Sequence, residues 1–245
     1  MKMKKFSFLF LLAVLVSGTS YGQSHAATDI DDAHFGIVGG QGSNRAVFVI
    51  PDAHIRLKTI DKSVLKENVE LEKKKYLNYN YDLASVDNYD TNAYVRYNIF
   101  DDQIEFVKDK SIYYLAKEVG RKIVFANTKA TYKVYDFNGE LHFFQVHLEG
   151  KNSLIAKQKI RYVDAKVAKS GYDRSKPANY KRLKDELYLA TADKKLIKLS
   201  KKGKKEFFAS FGDKASLVKT YAKEKKLGYK SLKDLQEIVA YYNTL

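Results

Sequence analysis

Between residues 94 and 163 the chain alternates apolar and polar positions with a period of two, interrupted at short intervals by turn residues. That period belongs to β-strands with one face in a core. The stretch YVRYNIFDDQIEFVKDKSIYYL (94–115) sets the pattern. With Asp101-Asp102 as a two-residue hairpin loop, Phe100 opposes Gln103, Ile99 opposes Ile104, Asn98 opposes Glu105 and Tyr97 opposes Phe106. Val95, Tyr97, Ile99, Ile104 and Phe106 then share an apolar face, and Arg96, Asn98 and Glu105 share a polar one. A slip of one residue would mix the faces. The register therefore assigns Asp101 and Asp102 to turning the chain at an exposed tip. It makes Arg96, diagonal to Glu105, a cross-strand ion pair. General-acid work needs a carboxyl raised by burial, which a hairpin tip does not provide.

The same reading predicts strands over residues 45–50, 54–60, 112–116, 122–126, 130–137, 140–148, 154–163, 186–190 and 195–199. Residues 76–92 read as irregular chain packed on the sheet, and 168–183 as a long basic loop. Asn138-Gly139 is the strongest hairpin signal, because a type I′ turn needs positive φ at both central residues. Consecutive strands with short turns predict an antiparallel meander, either a curved sheet or a partly open barrel.

The period changes in the last 45 residues. Phe208, Phe211, Ala215, Val218 and Ala222 recur at three and four, as do Leu235, Ile238, Val239 and Tyr242. Two amphipathic helices follow, the first kinked at Gly212-Asp213 with Asp213 as an N-cap, and with Gly228 as a C-terminal stop and Ser231 to Asp234 as a capping box. The expected fold class is α+β, mainly β: a β-meander domain over 45–200, then a helical hairpin over 201–245 packed on the sheet.

The N-terminus carries Lys2, Lys4 and Lys5, an apolar run over 6–16, and Ser20-Tyr21-Gly22 before Gln23. These are the parts of a secretory signal, expected over 1–22 and followed by a flexible leader over 23–44. A membrane anchor would need about 20 apolar residues. The chain has no cysteine, so an exported product would fold without disulfides, and a lipoprotein anchor is excluded. Aromatic residues make up 13%, enough for a substantial core.

The formal charge is +15 and it is uneven. Residues 23–150 hold 16 Lys and Arg against 19 Asp and Glu; residues 151–245 hold 25 against 10. That asymmetry nominates Lys181, Arg182, Lys184, Lys201, Lys202, Lys204 and Lys205 as candidates for polyanion binding, set against a plain solvated surface. No catalytic, metal or cofactor motif is present: His25, His34, His54, His142 and His147 have no ligand spacing, and GIVGGQGSN lacks the Lys-Ser/Thr of a phosphate loop.

The segments YLNYNYDLASVDNY, YVRYNIFDDQIEF and DLQEIVAYYNTL resemble an uncharacterised family of secreted or periplasmic Bacteroidota proteins. The matching residues are Tyr76, Leu77, Asn78, Arg96, Tyr97, Asn98, Asp102 and Glu105, then Asp234, Leu235, Ile238, Val239, Tyr241, Tyr242 and Asn243. The resemblance implies an exported location and carries no activity. The expected function is a non-enzymatic binding or structural module in the periplasm or outside the cell. Its partner is an envelope lipid, a glycan or another envelope protein, with polyanion binding through the basic half as the alternative. Intracellular nucleic acid is not an expected partner.

Overall fold

The computed structural model describes residues 55–57, 69–87, 92–108, 111–169, 172–200 and 202–245. The expected signal, leader and first strand, and Lys201, lie outside the described residues. Among the described residues thirteen strands form, eleven of them in one antiparallel sheet: β1 Ile55–Leu57, β2 Asp82–Val86, β3 Asn92–Asn98, β4 Gln103–Lys108, β5 Ser111–Leu115, β6 Lys122–Phe125, β7 Thr131–Phe137, β8 Glu140–Leu148, β9 Ser153–Lys157, β12 Glu186–Ala190 and β13 Leu196–Lys198. The other two, β10 Ile160–Val163 and β11 Asn179–Arg182, pair in a separate ribbon.

The sheet order is β1-β5-β4-β3-β2-β6-β7-β8-β9-β12-β13. It is not a single meander. β2 to β5 run outward one way, β6 returns to the free edge of β2, and β6 to β9 run the other way. The expectation of irregular chain over 76–92 therefore fails at its centre, where β2 joins the two halves. Five residues flanked by polar segments gave too short a pattern to read.

The sheet curls without closing. Tyr97 on β3 lies with its ring centroid 5.0 Å from Tyr132 on β7 and 6.0 Å from Phe143 on β8. Those strands are three and four places away in the sheet order. A flat sheet would hold them about 14 and 19 Å apart. Arg121, just before β6, donates to the Ala116 carbonyl just after β5, a bond within the connection between the two strands.

The inner face is filled by the sheet's own side chains. Val95, Tyr97, Ile104, Phe106, Tyr132, Val134 and Phe143 are all buried there. At the far end, Leu154 and Leu189 receive the helices, while the adjacent Ile155 and Tyr188 join Phe144 on the opposite face.

The β3–β4 connection corrects the register. Asn98 pairs with Gln103, Tyr97 with Ile104, Arg96 with Glu105 and Val95 with Phe106. The loop thus has four residues, with Asp102 at φ +51. The shift from the expected register is two residues, so the sorting of faces survives. Arg96 now lies directly opposite Glu105. The polar face is not solvated: Arg96, Asn98 and Glu105 are all buried. The Asn138-Gly139 turn forms as expected, with φ of +58 and +83.

The chain ends in α2 Lys204–Ala209, a 3-10 turn Gly212–Lys214, α3 Ala215–Glu224 and α4 Leu232–Asn243; a short helix, α1 Val69–Lys73, precedes the sheet. The expected first amphipathic helix is broken at Gly212, which sits at φ +58. Asp213 is inside the 3-10 turn and caps nothing; Lys214 holds the N-cap position of α3, without a side-chain bond. The stop for α3 is Lys226, at φ +55, not Gly228. Its N–H and that of Leu227 donate to the carbonyls of Lys223 and Ala222, the paired bonds of a Schellman motif. Ser231 does cap α4, accepting from the Asp234 N–H. Asp234 does not complete a capping box; it accepts instead from the Gly228 N–H at 2.8 Å.

Candidate functional site

A cleft of about 560 Å³ opens at one end of the curl, where the inner side chains stop. One wall is the segment before and into β2: Leu77, Asn78, Asn80 and Asp82. The Leu77 N–H donates to the Tyr97 carbonyl at 3.0 Å, which pins this segment beside β3. The Asn78 Oδ1 accepts from the Asn80 N–H at 3.2 Å, an Asx turn that holds both amides at the rim. The second wall is the β6–β7 turn, Thr128 to Ala130, in which Lys129 adopts φ +57. Asn127 ties this turn to Asp82 across the mouth.

The third wall comes from β8 and the end of β9. An irregularity between Val146 and Leu148 breaks the β8 ladder at His147. Bulges of this kind re-aim a side chain, and His147 lines the cleft here. Gln236 on α4 donates to the His147 carbonyl at 3.0 Å and holds that shape. Burial pushes the His147 imidazole below its ordinary range. In the floor, the Tyr132 hydroxyl donates to Gln158 Oε1 at 3.0 Å, and Gln158 Nε2 donates to Gln145 Oε1 at 2.8 Å. This relay leaves the Gln145 amide N–H groups as its outermost donors. Burial drives the Tyr132 phenol well above its usual range, against the opposing pull of Arg182, so it works as a neutral donor.

Behind the cleft stands a closed aromatic box. The Arg96 guanidinium lies 4.2, 4.9 and 4.6 Å from the ring centroids of Tyr76, Tyr79 and Tyr81. Its Nε and Nη2 both reach Glu105 Oε2 at 2.8 Å. The box is occupied by its own cation and has no room for another. The stretch rich in Tyr and Asn that looked irregular in the sequence thus covers a buried ion pair and supplies one wall of the cleft.

Asp101 and Asp102 part company. Asp101 is exposed and accepts from Asn98 Nδ2 at 2.8 Å, as a turn-stabilising residue. Asp102 is turned inward onto Tyr97, Lys117 and His142. His142 and His147 are separated in role: His142 joins that cluster and His147 the cleft.

The candidate basic residues do not converge on one place. Lys181 and Arg182 are on β11, Lys184 follows it, and Lys202, Lys204 and Lys205 begin the helical end. All are exposed; Arg182 pairs with Asp185 at 2.7 Å. The cleft residues Asn80, Lys129, Gln145 and Gln158 were not foreseen. Gln145 gave one signal, a polar side chain inside the aromatic run HFFQVH. Among the described residues no group of acidic and imidazole side chains is placed to hold a metal ion, and no helix is long and apolar enough to cross a membrane. No protein-family model, curated protein or solved structure matches the chain.

Proposed function

We propose that the protein is an exported binding module whose cleft takes a glycan segment of one or two sugar units. The observation that carries this is the lining: four amide side chains, Asn78, Asn80, Gln145 and Gln158, beside the exposed side chain of Leu77. Sugars present hydroxyls that both donate and accept, beside apolar ring faces. Amides match the first property and the Leu77 side chain at the rim the second. A lipid tail would need an apolar hollow, and the inner face of this sheet is already occupied by its own side chains. Binding rather than hydrolysis follows from the acids: two-carboxylate glycoside hydrolysis needs a flanking pair, and among the lining residues Asp82 alone is a carboxylate. The periplasm or the cell exterior is the proposed location, and the secreted Bacteroidota group its proposed kin.

The test is a glycan array followed by titration calorimetry. Asn80→Ala removes a rim amide whose side chain makes no hydrogen bond among the described residues, so the fold stays intact. The expected loss is about three- to tenfold in affinity, the value of one hydrogen bond. Gln145→Ala should cost at least as much. If no glycan binds, or if both variants bind as well as the parent, the reading fails.

A further inference from the structure

The ribbon β10–β11 rises from the rim of the cleft. Gln158, which lines the cleft, is two residues before it, and the Leu183 N–H closes its base on the Lys159 carbonyl at 3.0 Å. Tyr180 is wedged between Phe100 and Tyr162, with ring centroids 4.8 and 5.0 Å away. Beyond this base the ribbon has no core. Residues 161–167 and 172–177 are all exposed, with Tyr172 fully so and Val167 at 76%. A two-stranded ribbon is marginal on its own in water.

Its cross-strand pairs make it less stable still. Arg161 lies directly opposite Lys181, and Lys166 directly opposite Lys176. Like charges placed opposite one another destabilise a ladder. Residues 160–182 hold seven Lys and Arg against two acids. Of those acids, Asp173 reaches Lys166 at 3.3 Å, and Arg161, Arg174, Lys176 and Lys181 have no ion pair among the described residues. A sequence under pressure only to fold would not set two cationic pairs face to face on an exposed arm. An anionic partner lying along the ribbon would neutralise them.

We infer that the cleft's ligand is an acidic polysaccharide, with one or two sugars in the cleft and the flanking charged units along the β10–β11 ribbon. This rests on the glycan reading of the cleft. Continuity supports it: Arg182, at the foot of the ribbon, acts electrostatically on the phenols of Tyr97 and Tyr132, which line the cleft.

The probes are uronate-, sulfate- and phosphate-bearing oligosaccharides, neutral oligosaccharides of equal length, and single-stranded DNA. The variant is the ribbon quadruple Arg161→Gln, Lys166→Gln, Lys176→Gln, Lys181→Gln. The expected result has three parts. Acidic glycans bind in preference to neutral ones, and the preference shrinks as salt rises. The quadruple variant loses about tenfold or more for the acidic probes. Its Tm equals or exceeds the parent's, because the like-charge pairs are gone. If neutral glycans bind as tightly and the quadruple variant is indifferent, the inference is overturned and the cleft reading stands. If no glycan binds, both fall. If DNA binds through the ribbon with Asn80→Ala and Gln145→Ala without effect, the ribbon is a separate polyanion surface and the inference is again overturned.

Discussion

Asp102 Oδ2 lies 2.8 Å from His142 Nδ1, joining the β3–β4 loop to β8 across the mouth of the curl. The same carboxylate accepts from the Tyr97 hydroxyl at 2.7 Å, from Lys117 Nζ at 2.8 Å and from the Phe143 N–H at 3.3 Å. Four groups from three places in the chain meet on one side chain. In the sheet order β3 and β8 are four places apart, so this cluster fastens the curl where no backbone ladder can.

Asp102→Asn keeps the shape and removes the charge. Asparagine tolerates the left-handed backbone at φ +51. The loss expected is about 1–3 kcal/mol, since the ammonium of Lys117 and the Tyr97 hydroxyl lose an ionised acceptor in a half-buried place. Asp102→Ala should cost more, because it also loses local support for positive φ. Urea unfolding of the three proteins measures both steps. An unchanged midpoint in Asp102→Ala would show that the cluster contributes nothing to closure.

Arg96 and Glu105 give a second prediction. Glu105 has no exposed surface, and removing its partner leaves a charge buried under three tyrosines. Arg96→Met should therefore cost about 3–5 kcal/mol. The double variant Arg96→Met, Glu105→Leu should be less damaged than the sum of the singles, with a coupling of about 2 kcal/mol. A double-mutant cycle in guanidinium chloride measures it. Simple additivity would mean that the tyrosine box, not the ion pair, holds this part of the fold.

The two halves of this chain differ in how much the sequence discloses. The Asn138-Gly139 hairpin and the strand Glu186–Ala190 were readable because local chemistry alone decides them. The faces around Asp101-Asp102 were readable although the loop length was not. Side-chain period fixes a face modulo two, and only the loop's own bonding, with Asn98 Oδ1 accepting from the Asp101 N–H, selects four residues over two. The cleft was not readable. Asn80, Lys129, Gln145 and Gln158 come from four separated segments, and they meet only because the sheet curls. Nothing in a period of two reports curvature. The broken helix at Gly212 was half legible: the glycine was visible, but the positive φ that stops the helix depends on how α2 and α3 must turn to cover Leu154 and Leu189.

Gly150 supplies a third prediction, about the helical end. Asn243, the last residue of α4, accepts from the Asn152 N–H at 2.9 Å and donates to the Asn152 carbonyl at 2.9 Å. A Cβ on Gly150 would collide with the Asn243 amide. Gly150→Ala should therefore push Asn243 away and undo both bonds, at about 1–3 kcal/mol. Hydrogen exchange locates the effect: protection should fall over residues 232–243 before it falls over β2 to β7. Equal loss everywhere would mean that the helices and the sheet unfold as one cooperative unit.

Glu186 sets the expected response to acid. Burial alone would raise its carboxyl, but hydrogen bonds from Lys159, Lys198 and Tyr188 outweigh that and hold it at about 2. The contacts are short, 2.6 Å to each lysine. A carboxylate whose folded pKa lies below its unfolded value stabilises the fold above the unfolded value of 4.5, and that contribution drains away as pH falls from there to about 2. Solvent reaches the lysines, so the contribution is about 1–2 kcal/mol rather than the full linkage value. Glu186→Gln should lower stability by that amount at pH 7 and by progressively less toward pH 2, where the two proteins converge. Unfolding midpoints at pH 7, 4 and 2.5 follow the convergence. A gap between them that stays constant over this range would show that Glu186 acts through its shape, by spacing β12 from β13, and not through its charge.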